Sequence, residues 1–188
     1  MSSQKSLGND PFAAALTAPI AELGIVVSDP RGKSGSNTKT RVVAGVAVST
    51  TTIYYPGNEY RYVKANSTIV VGDALKIDTA GTDANKPTEF VPTAAVTDVV
   101  DGAAHVAIAT NSYAYVTIKG RITNVKTTGT VNEGDALGAS GTAGTLVAIT
   151  GSTPTGAEVI AAIRYAAGRR ALALVNFTTN RWDIHFGG

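Results

Sequence analysis

The chain contains no cysteine in its 188 residues. That removes disulfide frameworks, cysteine-ligated zinc, iron–sulfur clusters and thiol nucleophiles together, and it says nothing of redox compartment. His105 and His185 are the whole imidazole inventory. Two are too few for a multi-histidine metal site and thin for acid–base chemistry near neutral pH. Charged residues make up 16% of the chain, against about 25% in an average soluble domain. Sixteen bases against fourteen acids leave a net charge of +2, with no field of the kind that tracks nucleic acid. No run of apolar residues is long enough for a spanning helix, and Met1-Ser2-Ser3-Gln4-Lys5 has no apolar stretch behind it. The expectation is a chain neither membrane-anchored nor secreted by a cleaved signal.

Small and β-branched residues fill the space that charges leave. Ala, Thr, Gly and Val suit pleated sheet with tight turns, while the usual helix-surface residues are scarce. From Arg41 onward the pattern is strand after turn. Strands are predicted at 41–49, 60–64, 68–77, 89–91, 104–110, 113–119, 121–125, 145–149, 158–164, 171–177 and 181–186, with turn chemistry between them. The alanines of 157–167 would also suit a helix. So many short strands at such spacing predict an all-β fold, a compact barrel or sandwich, over residues 41–188.

Residues 1–40 read differently, as a partly extended N-terminal arm. Asp10-Pro11 can start one helical turn over Phe12 to Leu16, and Pro19 limits it. The run from Asp29 to Arg41 carries four bases and no acid after Asp29, so it is either a solvated loop or an arm that orders on a partner. Phe12, Leu16, Ile25 and Val27 are the candidate apolar anchors of such an arm. Arg31, Lys33, Lys39 and Arg41 are its candidate contacts to an acidic surface. On this reading, deleting residues 1–28 leaves the β domain folded.

An internal echo runs through the chain. Tyr60-Arg61-Tyr62-Val63, Gly72-Asp73-Ala74-Leu75 and Thr79-Ala80-Gly81-Thr82 recur in order as Tyr113-Ala114-Tyr115-Val116, Gly134-Asp135-Ala136-Leu137 and Thr142-Ala143-Gly144-Thr145. Two copies do not make a solenoid, so 60–82 and 113–145 predict a two-lobed or pseudo-symmetric body, with chance similarity as the competing reading. Gly72-Asp73 and Gly134-Asp135 are expected to be structural turns, the glycine supplying positive φ and the aspartate bonding its own backbone. Neither aspartate has other acids at calcium-ligand spacing.

Other motifs fail on their own terms. Gly32-Lys33-Ser34 lacks the glycine a phosphate-binding loop needs at Val27. No serine sits in a nucleophile elbow. Asp183 and His185 share a strand face without a nucleophile to activate. Arg164, Arg169, Arg170, Arg181 and Trp182 are either a basic aromatic patch for single strands or a solvated hairpin, the second preferred. Two glycosylation sequons, at Asn66 and Asn176, have no secretory context.

The succession Val70 to Leu75, Tyr113 to Gly120, Val131 to Leu137, Gly141 to Leu146, Glu158 to Ala161 and Ala171 to Phe177 resembles the head decoration, or cement, proteins of tailed bacteriophages, over about residues 60–178. The arm and the Trp182 to Gly188 segment lie outside it. The resemblance implies a non-enzymatic virion protein, made in the host cytoplasm, that binds the outer surface of an icosahedral capsid and stabilises it. It implies the major capsid protein and a homotrimer of this chain as partners, with no nucleic acid, membrane or cofactor. The alternatives are a head- or tail-fibre base or glycan-binding module using Tyr54, Tyr55 and Trp182, and more distantly a carboxylate-dependent hydrolase using Asp73 and Asp135.

Overall fold

The computed structural model describes residues 14–28, 35–43, 46–54, 57–80, 88–149, 170–178 and 180–187. The fold is all-β and compact, with no helix among the described residues. Twelve strands run β1 Val26–Ser28, β2 Gly35–Val43, β3 Val46–Tyr54, β4 Glu59–Ala65, β5 Ala74–Ile77, β6 Glu89–Pro92, β7 Gly102–Ala103, β8 Tyr113–Thr128, β9 Ala136–Ala139, β10 Leu146–Ala148, β11 Arg170–Thr178 and β12 Arg181–Gly187. The expected strand at 158–164 lies outside the described residues.

Ten of these strands form one sheet that closes on itself twice. In the first ring β4 pairs with β6 in parallel, and the antiparallel steps β6–β5, β5–β7, β7–β8 and β8–β4 return to the start. In the second, β8 pairs with β10 in parallel, and β10–β9, β9–β11, β11–β12 and β12–β8 close it the same way. Each is a five-strand barrel with the same order of pairing, so two units of one topology share β8, the last strand of one and the first of the next. Closure removes most of the free sheet edge.

The sequence predicts a break at Gly120, between strands 113–119 and 121–125. The structure instead carries one strand through it, and β8 changes partner there. Lys119 is the last residue paired to β4, and Gly120 the first paired to β12. Gly120 has φ 94°, and a Cβ on it would lie 2.0 Å from Asn58 Oδ1, so glycine is required both by conformation and by space. Asn58 fills that space: its Nδ2 donates to Arg121 O at 2.6 Å and its Oδ1 accepts from Arg121 N at 2.9 Å.

The remaining differences from the sequence reading are local. The strand expected at 68–77 is an isolated bridge at Ile69, a turn, and then β5. The one expected at 104–110 reduces to the Ile108 end of that bridge beyond β7. The strand expected at 41–49 is two: β2 and β3 pair in register from Gly35–Tyr54 to Val43–Val46, with the reversal between Val43 and Val46. β9, unpredicted, follows the Gly134-Asp135 turn.

The first barrel is filled by Val63, Leu75, Phe90, Ile108, Val116 and Ile118. The second is filled by Ile122, Leu137, Leu146, Trp182, Ile184 and Phe186. Ala74 and Ala103 of the first ring, and Val100 of the connection before β7, are buried with the second core, which welds the two barrels through small side chains. Burial of each large side chain contributes about 1.5–3 kcal/mol.

Candidate interaction site

The two Gly-Asp turns are built alike. Gly72 and Gly134 have φ 85° and 86°. Asp73 Oδ2 accepts from Val70 N and Asp135 Oδ2 from Asn132 N, each at 2.7 Å. Asp73 N and Asp135 N close the turns onto Val70 O and Asn132 O. Each carboxylate thus stabilises its own turn. The next residues start β5 and β9, and Ala104 and Ala173 bond to the two turns in the same way, accepting from the glycine N–H and donating to the aspartate carbonyl.

The surroundings of the two turns differ. Asp73 is buried, and Lys126 of β8 reaches its Oδ1 at 2.5 Å. Arg181 Nη1 donates to Val71 O and Asn124 O, each at 3.1 Å, and a Cβ on Gly72 would sit 2.2 Å from Asn124 O. A Cβ on Gly134 would meet nothing within 4 Å among the described residues. The first turn is therefore the junction between the barrels, and the second a surface turn.

The segment expected to be a docking arm lies partly on its own chain. Leu16 and Tyr113 exchange backbone hydrogen bonds of 2.9 and 2.8 Å. β1 pairs with β4 at Glu59 to Arg61, on the stretch of edge that β6 leaves open. Ala21, Leu23 and Val27 pack on a buried cluster of Tyr60, Tyr62 and Tyr115 on the outer face of the first barrel. Burial, and secondarily the neighbouring Tyr62, pushes the Tyr115 hydroxyl above its ordinary value of 10.0. Leu16 and Val27, expected to anchor on a neighbour, are half-buried within the chain, whereas Ile20, Ile25 and Val26 are exposed. Phe12, Arg31 and Lys33 lie outside the described residues. Lys39 and Arg41, expected in a loop or arm, are in β2, opposite Thr50 and Val48 of β3. The hairpin β2–β3 forms a two-stranded sheet separate from the ten-stranded one.

The other candidates are dispersed. Trp182 is buried in the second core, so it does not join Tyr54 and Tyr55 in an exposed aromatic platform; Tyr55 lies outside the described residues, as do Arg164 and Arg169. His105 Nδ1 is 3.1 Å from Thr117 Oγ1 and its ring meets Tyr60 edge-on. Asp183 turns to Arg121, at 2.7 Å, and His185 is exposed.

Sequence reasoning missed one polar cluster. Asn66 Nδ2 donates to Asp78 Oδ2 at 2.9 Å and Glu89 Oε2 at 2.7 Å, and Lys64 Nζ lies 3.3 Å from Glu89 Oε1. The lysine pairs with one carboxylate and the amide bridges both, clamping the parallel ends of β4 and β6. In the second barrel the matching backbone positions are Ser140 and Thr145, whose hydroxyls bond each other. Parallel register joins residues far apart in sequence, so no local signal reveals it. Among the described residues no three metal-ligating side chains cluster.

Compared with protein-family models, with curated proteins and with solved structures, the chain matches none.

Proposed function

We propose that this chain is a structural virion protein that binds the outer surface of an icosahedral phage capsid and stabilises it, acting as a trimer on the major capsid protein. The observation that carries the reading is the β2–β3 hairpin. Nine residues pair with nine, apart from the sheet of the body, giving a ribbon roughly 30 Å long at ~3.4 Å per residue. In this reading the closed double barrel offers a stable body for one contact and the separate ribbon a second. Two weak contacts on one body act at high effective concentration, which is how a small protein can hold neighbouring shell subunits together. The carboxylates that a hydrolase would use, Asp73 and Asp135, are engaged in their own turns, which favours the structural reading.

The test is co-pelleting with expanded empty shells assembled from the major capsid protein encoded in the same genome. Saturable binding, density at three-fold positions by electron microscopy and a raised shell melting temperature are expected. Shells that pellet without the chain at micromolar concentration would reject the proposal.

A further inference from the structure

The hairpin has two outer edges, and among the described residues neither β2 nor β3 pairs with any strand but the other. An isolated two-stranded ribbon is at best marginal in water. Exposed edges are normally blunted by charge, proline or a bulge. β2 meets that requirement with Lys39 and Arg41. β3, Val46-Ala47-Val48-Ser49-Thr50-Thr51-Thr52-Ile53-Tyr54, has no charge and no proline, and its ladder to β2 runs without a register shift.

We infer that the outer edge of β3 pairs with the same edge of a second copy of this chain, antiparallel and centred on Thr50. The inference does not depend on the capsid reading, whose trimer would close through another surface and leave this two-fold contact to join one trimer to the next. Its warrant is the self-complementarity of the strand. Centring on Thr50 sets Val46 opposite Tyr54 and Ala47 opposite Ile53, so apolar ends meet apolar ends. Ser49 falls opposite Thr51, and Thr50 opposite its own copy, so hydroxyls meet hydroxyls. Every such pair joins residues of the same parity along the strand. Outward-pointing N–H and C=O groups therefore face outward-pointing partners, as a ladder requires. The β2 edge is a poorer self-partner: centred on its own middle residue, Lys39, it sets that lysine opposite its copy, and like charges directly opposite are destabilising. The product is a four-stranded sheet across a two-fold axis, β2-β3-β3-β2, with its charged strands outermost.

Because the chain has no native cysteine, single cysteines report the contact cleanly. Thr50→Cys places two thiols on directly opposed residues, within the Cα separation a disulfide spans. Thr38→Cys probes the β2 edge. Under a glutathione redox buffer, Thr50→Cys should convert to a disulfide-linked pair while Thr38→Cys does not. Thr50→Lys should weaken pairing roughly fivefold in sedimentation equilibrium, the upper range for opposed like charges, with the far-ultraviolet circular dichroism unchanged. Equal cross-linking at the two positions, or a native chain that sediments as monomer at tens of micromolar, overturns the inference.

Discussion

Lys126 Nζ lies 2.5 Å from Asp73 Oδ1, joining the second barrel's first strand to the first barrel's Gly-Asp turn. The equivalent aspartate of the second unit, Asp135, accepts among the described residues from Asn132 alone. The duplicated motif thus has one copy that holds the units together and one that only turns the chain.

That difference predicts unequal costs. Asp73→Ala leaves a half-buried ammonium and the Val70 N–H without their acceptor, so about 2–3 kcal/mol of stability should be lost, in the range of hydrogen bonds to charged groups. Asp135→Ala removes two exposed bonds, from Asn132 N and Nδ2, and should cost about 1 kcal/mol. Likewise Gly72→Ala, whose Cβ would meet Asn124 O, should cost more than Gly134→Ala, which is strained in φ alone. Urea unfolding of the four variants measures this, and equal costs within a pair would contradict the assignment of the first turn to the junction.

A second pair sits at the middle of β8. Gly120→Ala forces a Cβ onto Asn58 at a backbone conformation that disfavours side chains, and should cost at least about 2 kcal/mol. Asn58→Ala removes both bonds to the Arg121 backbone and should cost a similar amount. Because the two changes damage one contact, the double variant should lose less than the sum. An additive result in chemical denaturation would show that they act separately.

How far these features were legible depends on the range of the interaction that makes them. The Gly-Asp turns are closed by atoms within four residues, so turn chemistry alone points to them. Val63, Val116 and Ile184 alternate with outward residues, and the all-β class follows from such patterns. Ring closure is set by partners distant in sequence, and the echo misled where it mixed the two ranges. Gly72 to Leu75 and Gly134 to Leu137 occupy equivalent places, but Tyr60 to Val63 and Tyr113 to Val116 lie on strands that pair with each other, Tyr62 opposite Tyr115. Gly120 looks like a terminator because a glycine weakens a strand. It is tolerated within β8 because Asn58 replaces what its side chain lacks. The reversal between Val43 and Val46 carries no Asn-Gly or Asp-Gly signal, so two strands read as a loop followed by one.

Asp98 provides a test in pH. Burial alone would raise its carboxyl, but the N–H of Ala94, Lys76 and the N–H of Ala95 together hold it below the ordinary value of 3.8. A lowered native value means that the folded state favours the ionised form. The contribution is complete above the unfolded value and is lost as pH falls through it toward the native one. Replacing Asp98 with Asn should therefore flatten the acid limb of the stability curve between about pH 5 and pH 3, while the variant is less stable than the native chain at pH 7. Parallel acid limbs from urea melts across that interval would show that Asp98 contributes nothing to acid unfolding.

The N-terminal segment carries the largest change in expectation. Read as a free arm, residues 1–28 are dispensable for folding. Placed on the barrel, Ala21, Leu23 and Val27 cover Tyr60, Tyr62 and Tyr115, while Ile20 N donates to Tyr62 OH at 3.2 Å. Deleting residues 1–28 uncovers that cluster and strips β1 from the edge of β4. Half-buried Leu23 and Val27 each account for about half of a full burial of 1.5–3 kcal/mol, so with the exposed tyrosine faces the loss should be roughly 2–4 kcal/mol. The barrels' own cores remain, so the truncated chain should fold with a lower melting temperature, bind a hydrophobic dye and show altered near-ultraviolet tyrosine dichroism. A Leu23→Ala variant in the full chain separates packing from truncation, and should give a smaller loss of the same sign. If the deletion leaves melting temperature and tyrosine signal unchanged, the segment does not cover the cluster in solution, and its apolar residues are free for a partner.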